Sequence, residues 1–242
     1  MFRDFERWYL NSEEYYWWFK GRRNLLCRII KNFNRNFLKI LDIGCSGGIL
    51  MEELEKNKIG IVFGIDNSKY AIQKCRKRGL KNVRLGDACK LPYKNDFFDI
   101  VIASDLLEHI ESESKALEEW KRVLKIGGYL ILGVPAFDFL YGYHDYIQKH
   151  KRRYIKQNLE NLIKGKLMVI KLSYWNFFLF VPITFMKIFT RNRRINYDKI
   201  IIPKLINSLL TALLKIENIL ITKYNIYFPF GISIIVVFKK LK

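Results

Sequence analysis

The sequence predicts an α/β chain: a doubly wound, mostly parallel sheet with an N-terminal helix and an α-helical hydrophobic insertion before the last strand. Three observations predict it. Short apolar runs alternate with helical patterns over residues 37–135, as βα units stacked into a parallel sheet do. The first run, Phe37–Ile43, is too continuously apolar for a half-exposed strand and reads as one buried on both faces. That run ends in a Gly-rich turn that opens a helix, the usual place for a ligand in such sheets.

The elements follow in order. Residues 12–33 are expected as one helix before the sheet, with Ser12, Glu13 and Glu14 as its start and the aromatic run Tyr15–Phe19 inside it. After the first strand come a helix over 48–57, a strand over 60–65, a helix over Ser68–Arg78 capped by Ser68, and a brief strand Val83–Leu85. Phe98–Ala103 (FDIVIA) is a strong strand and Ser114–Leu124 an amphipathic helix. Gly127 and Gly128 then introduce the strand Tyr129–Val134, stopped by Pro135. Leu167–Leu172 reads as a sixth strand, Gly231–Phe238 as the last, and Leu205–Ile221 between them as a helix with a broad apolar face. The organisation expected is an N-terminal helical cover over 1–36, a core over 37–173, a hydrophobic and basic insertion over 174–228, and a last strand over 229–242 that completes the core.

Composition narrows the function classes. Half of the 242 residues are hydrophobic, no low-complexity tract appears, and global disorder is excluded. The formal net charge is +20, and residues 151–242 hold 18 Lys/Arg against 3 Asp/Glu. Such a region attracts nucleic acid, an anionic membrane or a phosphorylated substrate, or is a solvated lysine-rich surface. The cysteines Cys27, Cys45, Cys75 and Cys89 form no C-x-x-C pair, so no metal site is expected and the thiols read as reduced and cytoplasmic. The start MFRDFERWYL lacks the apolar stretch of a signal peptide. Leu172–Met186 is uncharged but short and contains Pro182, which argues for an interfacial segment over a spanning helix.

Four motifs carry chemistry. Ile40–Gly48 (ILDIGCSGG) runs from a strand into a tight turn where glycine lets backbone approach a ligand, and Asp42 at the strand end suits a cationic amine. Asp66, in GIDNS, ends the next strand, where a carboxylate binds two ribose hydroxyls or caps the following helix. Asp87 and Ala88 follow the third strand, where the Asp can accept a hydrogen bond from the amino group of an adenine. Ser104 ends the fourth strand and runs on as Asp105-Leu106-Leu107-Glu108-His109.

Together these motifs resemble the class I S-adenosylmethionine-dependent methyltransferases over about residues 38–135, which implies a Rossmann-like core, methyltransferase activity and S-adenosylmethionine as cofactor. Trp17-Trp18-Phe19-x-x-Arg22-Arg23 and His150-Lys151-Arg152-Arg153-Tyr154 look like segments of a subgroup with lipid- or glycan-related acceptors. The resemblance implies that Asp42, Gly44, Cys45, Ser46 and Gly48 line the methionine part, Asp66 and Asn67 hold the ribose, Asp87 and Ala88 flank adenine, and Ser104 lies beside the sulfonium. Ser46 departs from the family pattern, which has glycine there. Arg22 or Arg23 would bind the cofactor carboxylate, or simply make a basic helix surface.

His109, His144 and His150 all follow strands four and five, at the edge where ligands bind. They are the candidate catalytic bases, since histidine titrates near neutrality; otherwise His109 packs its helix and 144–154 is a solvated loop. Arg152 and Arg153 are candidates for binding an anionic acceptor. The function expected is methyl transfer to a small-molecule, lipid-linked or saccharide acceptor, with peripheral contact to an anionic membrane, at the inner surface, through residues 174–222. Nucleic-acid methylation is the less favoured alternative, because the basic residues are interleaved with Phe, Trp and Ile; a non-catalytic interaction protein of the same fold is the third.

Overall fold

The computed structural model describes residues 3–34, 38–163, 167–190 and 202–241. Two helices precede the sheet, α1 (Arg3–Ser12) and α2 (Trp17–Lys31). The single helix expected over 12–33 is thus broken: Ser12 ends α1, and Tyr16, in extended backbone, caps α2. The break lets aromatic side chains on both sides of it cluster, with Trp8 edge-on to Tyr16 and Tyr9 edge-on to Phe19 at 4.7 Å.

The core runs β1 (Leu38–Ile43), α3 (Ile49–Lys56), β2 (Gly60–Asp66), α4 (Lys69–Lys77), β3 (Val83–Leu85), β4 (Phe98–Ser104), α5 (Glu113–Val123) and β5 (Leu124–Pro135). It continues with α6 (Tyr143–Gln148), α7 (Lys156–Ile163), β6 (Met168–Trp175), α8 (Phe180–Thr190), α9 (Lys204–Thr222) and β7 (Ser233–Lys239). The seven strands lie in the order β3-β2-β1-β4-β5-β7-β6. β1 to β5 pair in parallel, and β7 enters antiparallel between β5 and β6. Ile100–Ala103 of β4 and Leu130–Leu132 of β5 are wholly buried, the two-sided burial that their unbroken apolar runs imply. The chain order reverses beside β1, so β1 and β4 open the crevice at their carboxyl ends.

α9 lies along α2. Gly21 permits the approach: a Cβ there would stand 2.3 Å from Cδ1 of Leu214. Asn218 ties the helices further, donating to the Gly21 carbonyl at 2.8 Å and accepting from the Trp175 indole at 2.9 Å. The side of α9 facing the protein is therefore part polar, while Leu205, Leu209 and Ile216 face outward. By length and composition this 19-residue helix is apolar enough to cross a membrane, but its asparagine-bearing face is engaged by α2. Gly21→Ala is expected to lower stability by about 1–3 kcal/mol through overpacking, and Gly21→Ala with Leu214→Ala to recover part of that in a thermal melt.

Candidate active site

A cleft of about 690 Å³ opens where β1, β2 and β4 end, walled by the turn after β1 and roofed by α1 and α2. The turn's shape is set by backbone conformation. Gly44 has φ +73° and donates to the Ile65 carbonyl at 2.8 Å. Ser46 adopts φ +50°, a left-handed conformation that favours the glycine usual in this family. Its N–H is held by Oδ2 of Asp66 at 3.0 Å, while Oδ1 of Asp66 takes the Ser68 N–H at 2.8 Å. Ser68 in turn caps α4 through the Ala71 N–H, so Asp66 both shapes the turn and orders the helix start.

Asp42, Gly44, Cys45, Ser46, Asp66, Asn67 and Ser104 line this cleft. Asp42 is buried, and among the described residues no donor meets its carboxyl. Burial pushes its pKa up to about 7; Arg22 opposes the shift, and Glu13 and Asp66 add to it. A carboxyl so placed fits a ligand ammonium. Glu13, which the sequence marked only as part of a helix start, reaches the same turn and accepts the Gly47 N–H at 3.1 Å. Burial raises its pKa as well.

Three of the expected cofactor residues stand elsewhere. Gly48, at φ +77°, caps α3, and a Cβ on it would strike Leu80 and Cys75 rather than a ligand. Asp87 closes its own turn by accepting the Cys89 N–H at 2.8 Å, and the Ala88 carbonyl accepts from the Trp120 indole at 2.9 Å. Neither is among the residues lining the cleft.

Arg22 and Arg23 line the cleft but are not a basic helix surface. Arg23 is buried, donating to Glu53 at 2.8 Å and to the Glu13 carbonyl. Arg22 pairs with Asp105 and donates to the Tyr9 hydroxyl at 3.0 Å. Asp105 itself sits at φ +52°, a backbone conformation that Asp tolerates better than most residues and that often marks a site.

A second cavity, of about 260 Å³, adjoins the first. Tyr9, Phe19, Asp105 and His150 line both. Its walls are aromatic, with Phe5 and Trp8 from α1 and Tyr16, Trp17 and Trp18 at the start of α2, and α8 closes one side with Ile183, Met186 and Lys187. Burial lowers the Lys187 pKa to about 8. The arrangement is a polar cleft leading into an apolar chamber through one shared doorway.

All three histidines reach these cavities. His144 lines the aromatic one, edge-on to Phe5 at 5.7 Å, and burial brings its pKa down to about 3. His109 lines the polar one and meets His150 edge-on at 4.7 Å between ring centres; burial again lowers its pKa, to about 3. The segment 144–154 is not a solvated loop: Asp145, His150 and Arg153 are buried. Asp145 accepts the Gly142 N–H at 3.0 Å, contacts His150 Nδ1 at 2.8 Å and takes Arg153 at 2.8 Å. Burial opposes its ionisation, but His150, Lys187 and Arg153 outweigh that and hold it well below the usual carboxylate range. Arg153 is consumed by Asp145 and the Ala136 carbonyl, and Arg152 pairs with Glu113 outside both cavities. Arg153 lines the aromatic cavity with these bonds made, and Arg152 reaches neither cavity. Glu108, which the sequence placed only within a longer run, is fully buried beside them, and burial pushes its pKa up to about 8.

Comparison with known proteins agrees with this architecture. A family model described as a methyltransferase domain matches residues 41–132. The uncharacterized protein MJ1123 of Methanocaldococcus jannaschii is 30% identical over 168 residues, covering 69% of this chain and 78% of that protein. The mitochondrial ubiquinone biosynthesis O-methyltransferase of Candida albicans is 33% identical over 117 residues, covering 44% of this chain and 35% of that one. The chain spans about a third of the length of several other curated relatives it matches. A SAM-dependent methyltransferase from Archaeoglobus fulgidus superposes with a TM-score of 0.59 at 20% identity, covering 96% of this chain and 99% of that one, and so shares the fold. With the Gly-rich turn after β1, the acidic strand ends and the parallel β3-β2-β1-β4-β5 order, these matches show that the chain belongs to the class I S-adenosylmethionine-dependent methyltransferases, and S-adenosylmethionine is its cofactor.

Proposed function

We propose that this chain methylates an apolar, lipid-linked acceptor drawn from a membrane surface. The observation that carries the reading is the two-sidedness of α8. Ile183, Met186 and Lys187 line the aromatic cavity, while Val181, Phe185, Ile188 and Phe189 point outward, each, like Met186 itself, more than half exposed. An apolar helix with one side in the acceptor chamber and the other in solvent is out of place in water and well placed at a lipid interface. The outward Leu205 and Leu209 of α9 extend the same character. The basic cluster Arg191, Arg193 and Arg194, which follows α8 in sequence, lies outside the described residues; such a cluster gains about 1 kcal/mol per residue near anionic lipid.

In this reading the cofactor supplies an activated methyl group. Asp42 receives its ammonium and Asp66 its ribose hydroxyls. The aromatic walls exclude water and orient the acceptor, whose reacting atom enters the doorway at Tyr9, Phe19, Asp105 and His150. Arg22, tied to Asp105 and Tyr9, holds that doorway open between the two ligands. His150 lines that doorway, His109 lines the polar cleft beside it, and His144 forms wall of the aromatic cavity.

Two measurements test this. The protein should co-sediment with anionic vesicles more than with neutral ones, and less as salt rises. Phe185→Ser with Phe189→Ser, or Ser at Arg191, Arg193 and Arg194, should reduce co-sedimentation about tenfold or more. Incubation of lipid extracts with methyl-labelled S-adenosylmethionine should place label in the organic phase. Protein that stays in the supernatant at low salt, with label only in water-soluble products, would overturn the proposal.

A further inference from the structure

Glu108, His109 and His150 offer one carboxylate oxygen and two imidazole nitrogens that all lie within 4.8 Å of one another. Glu108 is fully buried, and among the described residues neither of its carboxylate oxygens has a hydrogen-bond partner. Nε2 of His150, also buried, has none either. It stands 3.9 Å from Oε1 of Glu108, too far for a hydrogen bond. Burying three polar atoms side by side with no hydrogen-bond partner is costly, and a native interior tolerates it where a further group fits between them.

The surroundings fit a cation of a particular kind. The other ring nitrogen of His150, Nδ1, is bound by Asp145 at 2.8 Å. Metal-bound imidazoles are oriented in this way, by a carboxylate or carbonyl on the nitrogen away from the ion. The nearby cations do not compete for the carboxylate: Arg22 is paired with Asp105 and Arg153 with Asp145.

We propose that Glu108, His109 and His150 bind a divalent transition-metal ion. Two imidazoles and one carboxylate suit a borderline ion such as Zn²⁺ or Co²⁺, whereas Mg²⁺ and Ca²⁺ prefer oxygen alone. At metal–ligand distances of about 2.0–2.1 Å, ligand atoms of a tetrahedral ion stand about 3.4 Å apart, so side-chain movements of about 1 Å close the site. Three protein ligands leave a position open, and His150 puts it at the doorway between the two cavities. There the ion would polarise an acceptor hydroxyl and lower its pKa; that use rests on the function proposed above, while the site itself rests on the three side chains. No spacing in the sequence announced it, because Glu108 and His150 belong to segments after different strands.

The test uses tag-free protein stripped with chelator and titrated with Co²⁺. One equivalent should bind with visible ligand-field absorption, be displaced by Zn²⁺, and raise the melting temperature. Glu108→Gln should weaken Co²⁺ binding at least tenfold and abolish the metal-dependent rise. Its metal-free melting temperature should not fall below that of the wild type, since the substitution removes an unpaired buried carboxyl. His109→Asn should likewise lose the absorption. Absence of stoichiometric binding, or binding unchanged in both variants, overturns the site. Metal binding without label in lipid products leaves the site standing and removes the lipid acceptor; label transfer unchanged after chelation removes the ion's part in activation.

Discussion

Asp66→Ala should weaken S-adenosylmethionine binding by about 100-fold or more, read by calorimetric titration. An ionised carboxylate accepts about four hydrogen bonds. In the structure two of them go to the N–H groups of Ser46 and Ser68, which leaves two for the ribose hydroxyls. Hydrogen bonds to a charged group contribute about 1.5–3 kcal/mol each, and 1.4 kcal/mol is tenfold in affinity. The alanine variant also frees the Ser46 amide, so the turn that carries Gly44 and Ser46 loses its latch. Asp66→Asn keeps one acceptor oxygen and should fall between the two. Asp66→Ala with wild-type affinity would remove Asp66 from the cofactor site.

The second large effect is a pH dependence centred on Asp42. Its pKa stands at about 7, raised by burial and by Glu13 and Asp66 against the opposing pull of Arg22. A cationic ammonium binds the ionised form, so cofactor affinity should be level above about pH 8 and fall about tenfold per pH unit well below 7. Asp42→Asn should flatten that slope and lower affinity at pH 8 by about 10–100-fold, through loss of a charge-assisted contact. Stability moves the other way. Because the folded pKa lies above the unfolded value of about 3.9, the folded, cofactor-free protein binds the extra proton between about pH 4 and 7. Stability contributed by that proton is present at low pH and lost as pH rises through 7. Asp42→Asn should therefore raise the melting temperature of cofactor-free protein at pH 8, with about 4 kcal/mol as the upper bound. A slope that survives the substitution would assign the titration to another group.

The parts of this site that could be read from residues alone are those that a single strand end supplies. Asp42, Gly44, Ser46, Asp66 and Ser104 each sit where a short apolar run meets a turn, and the alternation of runs and helices puts such ends on one edge. The Ser68 cap was legible for the same reason, since its partner Ala71 is three residues away. Gly48, Asp87 and Ala88 occupy the same kind of position but do not line the cleft: Gly48 caps α3, and Asp87 Oδ1 accepts the Cys89 N–H in its own turn.

What the sequence by itself determined is the parallel core, its buried strands, the Gly-rich turn and the two acidic groups, Asp42 and Asp66, that line the cleft. These depend on the period of apolar residues and on caps and turns, which act over a few residues. Only the tertiary structure decided the rest. The break between α1 and α2 comes from aromatic packing across Tyr16, not from any local breaker. The entry of β7 between β5 and β6, the docking of α9 on Gly21, and the meeting of Glu108 with His109 and His150 each join segments distant in the chain. Such contacts are chosen by which buried faces and polar groups fit together once the sheet has formed, a choice that no window of sequence contains.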